Sequence, residues 1–322
     1  MSTTAFVFPG QGSQRVGMGR ALTERRPDLL DSHYRVADEV LGIPLTQLCW
    51  RGPAEELRAM PVTQPAVFLT SVVTHEVLGG QGVVPDVVAG HSLGEFAAMV
   101  TAGVLDWVDV VHLVRLRGRL MDAVNREIPG SMGAVIDVEL GELEGLCARA
   151  AADTGEIVEI ANHNDHRQIV VAGQTGGVAR LLELAERGGA QRVLTLDVGG
   201  SAHCSLLSGI EPEFRRAVEA LDLRDPVVPV ISAVTAAPVR TAAEAADCLS
   251  RQFTHRVRWT ETVEALTAAG VGRFVEVGPG RTLSKLCGRL APDAETYRTN
   301  DTEHVDRVAE ALGTARPARA RL

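Results

Sequence analysis

Residues 87–102 read VVAGHSLGEFAAMVTA. The apolar start of this stretch, residues 87–89, predicts a short buried strand, and the Ala-rich part from about residue 95 to 102 predicts a helix. A tight turn, Gly90-His91-Ser92-Leu93-Gly94, joins the two. A strand, a sharp turn and a helix in this order are typical of an α/β sheet, so we predict an α/β fold.

The same alternation recurs on both sides of this stretch. Residues 5–8 form an apolar run that ends in the loop Pro9-Gly10-Gln11-Gly12-Ser13, and residues 273–277 form another, followed by a Gly-Pro-Gly loop and a helix over 281–290. Residues 229–234 predict a fourth buried strand, and long helical stretches cover 105–125 and 211–223. This pattern predicts a mostly parallel sheet with helices on both faces.

The segment 132–198 has a different order of elements. Strands are predicted at 132–138, 158–162, 168–172 and 192–198, with helices at 141–152 and 176–187. The order βαββαβ is that of the ferredoxin-like arrangement, and we interpret it as a small subdomain inserted into the larger one. The predicted boundaries are 1–130 and 199–312 for the large subdomain and 131–198 for the small one. The Ala/Arg-rich tail, 313–322, is predicted to be disordered.

Composition narrows the classes of protein. The 322 residues are 45% hydrophobic and 23% charged, which excludes a disordered or collagen-like chain. A net charge of -9 argues against a nucleic-acid or membrane-surface binder. Five scattered cysteines without a CxxC pair argue against a zinc site or a disulfide framework and favour a reducing cytoplasm. We find no signal peptide and no run of the roughly 18 apolar residues that a membrane span needs.

The turn at 90–94 fits the pattern GxSxG, which makes Ser92 a candidate nucleophile. Small glycines allow the sharp turn that lifts the serine side chain out of the sheet. The amide of Leu93 then points to where an oxyanion would develop, at the positive end of the following helix. The alternative is a purely structural turn.

A serine nucleophile needs a base, and nine histidines are available. His91 is next to Ser92, but adjacent residues on such a turn point in different directions. His203 follows the last strand of the small subdomain, where the chain re-enters the large one, and is the best candidate. We expect three others to be ordinary polar residues: His33, His112 and His304.

Two further positions are candidates for binding groups. Gln11 lies in a Gly-rich loop that lacks the lysine of a P-loop and the spacing of GxGxxG, so a loop amide donating to an oxyanion is a better use than a phosphate cradle. Arg117 follows Val110, Leu113 and Val114 at helical spacing and therefore lies on an apolar face. A partly buried arginine binds a carboxylate, either of a ligand or in a structural salt bridge.

Several motifs resemble those of one family, in the same order along the chain. They are FPGQGSQ at 8–14, TQPA at 63–66, GHSLG at 90–94, LRG at 116–118, PVIS at 229–232, Gln252 followed by Val257-Arg258-Trp259, and EVGPG at 276–280. The sequence resembles the malonyl-CoA:acyl carrier protein transacylases and the acyltransferases of polyketide synthases over nearly its whole length.

The resemblance implies an α/β-hydrolase-like large subdomain with a ferredoxin-like insert. It implies Ser92 as nucleophile, His203 as base, and the amides of Gln11 and Leu93 as oxyanion hole. A backbone carbonyl near Gln252 would orient the histidine in place of a carboxylate. Arg117 would clamp a malonyl-type carboxylate, and the full set of implied substrate-binding residues is Arg117, Gln64, Met121, Asn162, Ala202 and Gln252.

Two departures from the family pattern bear on selectivity. Malonyl-selective polyketide synthase domains typically carry Phe just before the histidine, whereas this chain has the small Ala202, which leaves room for a larger acyl group. Asn164-Asp165-His166 stands where the family usually has Asn-Ser-Pro. The acyl group is therefore left open by the sequence.

The implied reaction moves a malonyl-type acyl group from coenzyme A to the phosphopantetheine thiol of an acyl carrier protein, in fatty-acid or polyketide synthesis, without a metal or redox cofactor. The expected partners are an acyl-CoA and an acyl carrier protein, with no nucleic acid and no membrane. The alternatives are acyl transfer between two carriers, hydrolysis of acyl carriers, and a non-enzymatic carrier-binding module. The presence of both Ser92 and His203 argues against the non-enzymatic module.

A docking surface for the carrier is expected on the last predicted long helix. Arg281, Lys285 and Arg289 follow one another at i, i+4 and i+8 and share a face. Carrier proteins are generally acidic, so a local basic patch would overcome the repulsion from this acidic chain. The alternative is an ordinary solvated helix face.

Overall fold

The computed structural model describes residues 2–313, and their strands form two separate sheets. The strands are β1 (Thr3–Phe8), β2 (Val87–Gly90), β3 (Gly130–Ile136), β4 (Val158–Asp165), β5 (Gln168–Gln174), β6 (Arg192–Leu196), β7 (Val230–Ile231), β8 (Pro238–Val239), β9 (Val271–Glu276) and β10 (Glu295–Arg298). None of the helices in residues 2–313 is long and apolar enough to cross a membrane.

Fifteen α-helices are described in this part of the chain. They are α1 (Arg20–Arg25), α2 (Pro27–Leu29), α3 (Arg35–Leu41), α4 (Leu45–Arg51), α5 (Ala54–Arg58), α6 (Met60–Gly80), α7 (Gly94–Thr101), α8 (Trp107–Glu127), α9 (Leu140–Thr154), α10 (Thr175–Arg187), α11 (Glu211–Glu219), α12 (Ala242–Arg251), α13 (Trp259–Ala268), α14 (Thr282–Leu290) and α15 (Thr302–Leu312). A π-helical turn (Leu30–Tyr34) joins α2 to α3, and a 3₁₀ turn (Ser205–Ile210) precedes α11.

The larger sheet has the strand order β10-β9-β1-β2-β7-β8. Every neighbouring pair from β10 to β7 is parallel, and only β8 runs antiparallel to β7. The predicted mostly parallel sheet is confirmed. In the register, Phe8 pairs with Gly90, so the loops after β1 and β2 leave the same edge of the sheet side by side. That edge is where ligands bind in open α/β sheets.

Alternate residues of the central strands enter two different apolar cores. Phe6 and Phe8 pack into the core built with α6, α7 and α8, whereas Ala5 and Val7 pack into a second core with α13 and α14. A strand that is buried on both faces lacks polar alternation, which is why residues 5–8 read as a continuous apolar run. The predicted helical cover on both faces of the sheet is therefore confirmed.

The smaller sheet has the order β4-β5-β3-β6 and is entirely antiparallel. Together with α9 and α10 it gives the chain order βαββαβ, so the predicted ferredoxin-like subdomain is confirmed. Its own core is formed by apolar side chains such as Leu143, Val171 and Leu181. Its strands begin at Gly130 and end at Leu196.

Three of the differences from the prediction have a clear physical reason. The strand predicted at 229–234 is only Val230–Ile231, because the chain turns back at Ala236 (φ 54°) to form β8. The edge strand β10 was missed because its sequence, ETYR, is short and polar. The long helix α6 was not predicted, since it is apolar nearly all round and contains Pro65. Of the tail predicted to be disordered, residues 314–322 lie outside the described part of the chain.

The two subdomains are tied together close to one end of β4. The amide of Val257 donates to the carbonyl of Ala161 (2.8 Å), and the amide of His163 donates to the carbonyl of Val257 (2.9 Å). Two ion pairs add to these bonds: Arg256 to Glu144 and Arg289, from α14, to the buried Asp165.

The helices α6 and α8 approach each other closely at Gly118. A Cβ atom at this position would lie 2.4 Å from the carbonyl oxygen of Met60, in the first turn of α6. Only glycine permits this approach, and the approach brings Arg117 of α8 next to Gln64 of α6. Gly118, the third residue of the LRG motif, is thus needed for packing. The position of Arg117, the second residue of the motif, depends on that packing.

We expect Gly118→Ala to lower the free energy of unfolding by about 1–3 kcal/mol, because the added methyl group overpacks the contact. Gly145→Ala in α9 is the matched control, since nothing lies within 4 Å of its Cβ position. That control should raise the stability by about 0.5–1 kcal/mol through helix propensity. Urea unfolding followed by circular dichroism measures both, and equal shifts in the two variants would contradict the packing argument.

Candidate active site

The turn between β2 and α7 is held by close backbone contacts. A Cβ atom on Gly94 would lie 1.9 Å from the carbonyl oxygen of Phe8, and one on Gly90 would lie 2.1 Å from the amide nitrogen of Glu95. Both glycines of GxSxG are therefore sterically required. Ser92, between them, has φ 53°, a left-handed conformation that costs a non-glycine residue about 1–3 kcal/mol.

Ser92 and His203 are in hydrogen-bond contact. The Ser92 Oγ lies 2.6 Å from the His203 Nε2, and the His203 Nδ1 lies 3.1 Å from the backbone carbonyl oxygen of His255. If Nδ1 carries the proton and donates it to this carbonyl, Nε2 is free to accept the proton of Ser92. His203 also has a positive φ, 59°, so both members of the pair have strained backbones.

The surroundings keep His203 uncharged. Burial lowers its pKa to about 3, and the charges of Arg117 and His91 act in the same direction. A histidine with so low a pKa is neutral at neutral pH and can accept a proton from a neighbouring hydroxyl group.

The other histidines have different partners. The His91 Nε2 lies 2.8 Å from the Asn164 Oδ1, in the small subdomain, so its ring is engaged away from Ser92. His33 stacks on Trp107, His304 contacts Asp301, and His112 is exposed. These placements agree with the expectation that the three last-named histidines are ordinary polar residues.

Arg117 is 2% exposed and lies behind Ser92. It donates to the Gln64 Oε1 (2.9 Å) and to the Ser92 Oγ (3.3 Å), and its guanidinium lies 5.8 Å and 5.7 Å from the ring centres of Phe96 and Phe253. Within residues 2–313 it forms no salt bridge, so the structural ion pair considered above is not found. Burial lowers its pKa to about 10, against the opposing charge of Glu95.

Two backbone amides next to Ser92 have no acceptor. Neither Gln11 nor Leu93 donates its amide hydrogen to any group in the described residues. Leu93 directly precedes α7, so its amide adds to the positive end of that helix. The Gln11 side chain is held in place by a bond from Nε2 to the carbonyl of Val198 (2.7 Å).

A cavity of about 260 Å³ lies between the two subdomains and contains Ser92 and His203. The small subdomain contributes one wall, which includes Met132, Val170 and Leu196, and α14 contributes another. Of the six residues expected to bind substrate, four line this cavity: Arg117, Met121, Asn162 and Ala202. The remaining two, Gln64 and Gln252, lie behind the wall, where Gln64 contacts Arg117 and Gln252 contacts the Ser92 carbonyl.

The residues expected to dock the carrier are all exposed on or next to α14. Lys285 lines a surface groove together with Arg298 and Arg307. Arg289 points to the small subdomain, where its Nε donates to Asp165 Oδ2 (2.6 Å). This ion pair could not be predicted from local sequence, because its partners are 124 residues apart.

Glu95 was not predicted as a site residue, although its carboxyl group is fully buried just behind the turn. An acidic residue in the first turn of a helix normally faces solvent and complements the helix dipole, so its position alone does not reveal burial. Its neighbours from other elements, Ser232 and Gln252, become visible only in the fold.

A serine on a strand–turn–helix junction, hydrogen-bonded to a histidine and next to free amides, is the site geometry of enzymes that transfer acyl groups through serine. The model of the acyl transferase domain family matches residues 5–299, and the chain belongs to this family.

Three relatives are similar to this chain over almost their full length. The malonyl CoA-acyl carrier protein transacylase of Bacillus subtilis is 36% identical over 312 residues, which cover 97% of this chain and 98% of the relative. The crystal structure of an acyl carrier protein S-malonyltransferase from Vibrio cholerae is 39% identical, with a TM-score of 0.90, covering 95% of this chain and all of that one. A malonyl transacylase in complex with its type II polyketide synthase carrier protein has a TM-score of 0.91 at 36% identity, covering 96% of this chain and 100% of that one.

Proposed function

We propose that this protein transfers a malonyl group from coenzyme A to the phosphopantetheine thiol of an acyl carrier protein through an acyl-Ser92 intermediate. One observation carries the proposal: the Ser92 Oγ is within hydrogen-bond distance of His203 and of Arg117, a buried arginine that forms no salt bridge within residues 2–313. The first can activate the serine, and the second can bind the free carboxylate of a malonyl group. The names of the relatives, which are malonyl transferases, support the same substrate.

In the first half-reaction, the Ser92 Oγ attacks the thioester carbonyl while the His203 Nε2 takes its proton. The carbonyl oxygen becomes an oxyanion, which the free amides of Gln11 and Leu93 can stabilise. When the intermediate collapses, the C–S bond breaks and the sulfur of coenzyme A takes the proton from His203. Ser92 is left as an ester, and His203 is neutral again.

In the second half-reaction, the carrier thiol gives its proton to the His203 Nε2 and attacks the ester carbonyl. The C–O bond to Ser92 breaks, and Ser92 recovers the proton from His203. Protons and electrons balance over both steps with Ser92, His203 and the two thiols alone, so we propose that the reaction uses no metal and no redox cofactor. The hydrogen bond from Nδ1 to the His255 carbonyl keeps the ring oriented throughout.

The cytoplasm is the proposed location of the reaction. All five cysteines are free and buried, as is common in proteins of reducing compartments.

We place the carrier-docking surface at Arg281, Lys285 and Arg289, on the helix whose opposite side lines the cavity. Neither Arg281 nor Lys285 has an ion-pair partner in residues 2–313, whereas Arg289 is paired with Asp165. Because Lys285 also shares its groove with Arg298 and Arg307, we expect it to contribute most to this surface.

We expect Ser92→Ala to abolish the covalent acyl-enzyme and His203→Ala to slow its formation by several orders of magnitude. Intact-protein mass spectrometry after mixing with malonyl-CoA measures the adduct. Adding carrier or water alone then shows whether a thiol or water releases the acyl group, which separates the transferase from a hydrolase. A Ser92→Ala protein that still gains the acyl mass would disprove the assignment.

Arg117→Ala should slow loading from malonyl-CoA by roughly 10- to 100-fold, the equivalent of one charged hydrogen bond, and should spare acetyl-CoA, which has no free carboxylate. Arg119→Ala, an exposed arginine of the same helix, is the control. Rates of acyl-enzyme formation with both donors decide the matter, and equal losses for the two donors would show that Arg117 does not bind the carboxylate.

Reversing the charges of Arg281 and Lys285 should raise the KM for the carrier and leave the loading of Ser92 from malonyl-CoA unchanged. Adding Arg289→Glu should raise it further, although this change also breaks the pair with Asp165. Reversal of Arg20, Arg35 and Arg51, which are exposed and do not line the cavity, alters the net charge without altering the patch. If the two sets raise the KM equally, the carrier docks elsewhere.

A further inference from the structure

We infer that Glu95 is a positioning residue. Through the side chain of Gln252, it keeps Ser92 and the His255 carbonyl at fixed positions relative to each other. The inference rests on the proposed function, because it explains how the proposed nucleophile and base keep their geometry. Glu95 itself does not line the cavity and therefore does not contact the substrate.

The Glu95 carboxyl group is fully buried, with 0% exposure, in the first turn of α7. Its Oε2 accepts a hydrogen bond of 2.7 Å from the Gln252 Nε2. Burial raises the pKa of Glu95 to about 7, whereas hydrogen bonds from Ser232 and Gln252 and the charge of Arg117 oppose that rise. Burying a carboxyl group costs free energy of folding, so we expect a buried glutamate to have a structural or functional role.

Gln252 is equally buried, and its amide nitrogen has two acceptors. Besides Glu95, the Nε2 donates to the backbone carbonyl of Ser92 at 3.1 Å. An amide nitrogen has two hydrogens, and both are used here. If the amide were flipped, its oxygen would face a carboxyl oxygen and a carbonyl oxygen. Glu95 therefore fixes the orientation of the amide, and the amide holds the strained backbone of Ser92.

The same glutamine also begins the segment that orients the base. Gln252 directly follows α12, and the next turn is closed by bonds from Thr254 and His255 to the carbonyl of Arg251. The carbonyl of His255 then faces the His203 Nδ1. One buried hydrogen bond between Glu95 and Gln252 thus links the turn that carries Ser92 to the turn that orients His203.

Glu95 also acts on Arg117 through its negative charge, and this effect is distinct from positioning. Within residues 2–313, the Glu95 carboxylate is the negative charge that raises the pKa of Arg117, against the effect of burial. Glu95→Gln removes this charge but keeps an oxygen that can accept from Gln252, whereas Glu95→Ala removes both. The comparison of the two variants therefore separates the hydrogen bond from the charge.

The experiment measures the rate constant and KM for acylation of Ser92 by malonyl-CoA and by acetyl-CoA. Glu95→Ala should lower the rate constant by about 100-fold for both donors, since a displacement near 1 Å costs that much, and leave KM within about twofold. Glu95→Gln should restore most of the rate. Gln252→Ala should match Glu95→Ala, and the double variant should be no worse than either single one, as expected for residues that act as one unit.

Glu276→Gln is the matched control for losing a buried carboxylate, since Glu276 is also 0% exposed but contacts the start of α14. It should acylate at the normal rate. Modification of Ser92 by phenylmethylsulfonyl fluoride gives a readout without any acyl donor, and it should slow in Glu95→Ala even if the proposed substrate is wrong.

Normal sulfonylation and acylation in a folded Glu95→Ala would overturn the inference. So would a Glu95→Gln variant as slow as Glu95→Ala, because the charge and not the hydrogen bond would then matter. If Glu95→Ala does not fold, Gln252→Ala removes the same bond, and its rates decide the question in the same way.

Discussion

The site depends on one steric constraint, the contact between the backbone of the β2–α7 turn and the end of β1. The chain at Gly94 lies so close to the Phe8 carbonyl that no side chain fits between them. This contact holds the end of β1, and the loop with Gln11 that follows it, against the turn that carries Ser92 and Leu93. Within that turn Ser92 has a left-handed conformation. Gln11 and Ser92 consequently line the same cavity.

A second layer of buried polar groups lies behind this turn. Arg117, Gln64, Glu95 and Gln252 are each at most 2% exposed, and together they hold one cation and one carboxyl group away from water. The aromatic faces of Phe96 and Phe253 beside the guanidinium stabilise a cation that has no salt bridge to any residue between 2 and 313. Such a group gains from a ligand carboxylate more than a paired arginine would, because no internal partner must be displaced.

The sequence predicted the fold because the decisive signals are local. An apolar run, a glycine-rich turn and a helix lie next to one another at 87–102, and the βαββαβ order of the insert is equally contiguous. The missed features depend on distant partners: Glu95 and Gln252 are 157 residues apart, and Asp165 and Arg289 are 124 apart. Ser92, His203 and Arg117 were candidates from local sequence patterns alone, whereas the other substrate-binding residues came from the family resemblance. The roles of both groups stay predictions until the variants are measured.

The main-chain bonds between Val257 and β4 give the small subdomain a direct mechanical connection to the base. The wall of the cavity formed by this subdomain and the carbonyl at His255 belong to one hydrogen-bonded unit. Because Val257 lies only two residues after His255, a shift of the small subdomain would be passed through the main chain to the carbonyl that faces His203. The position of the insert and the orientation of the histidine ring are therefore not independent.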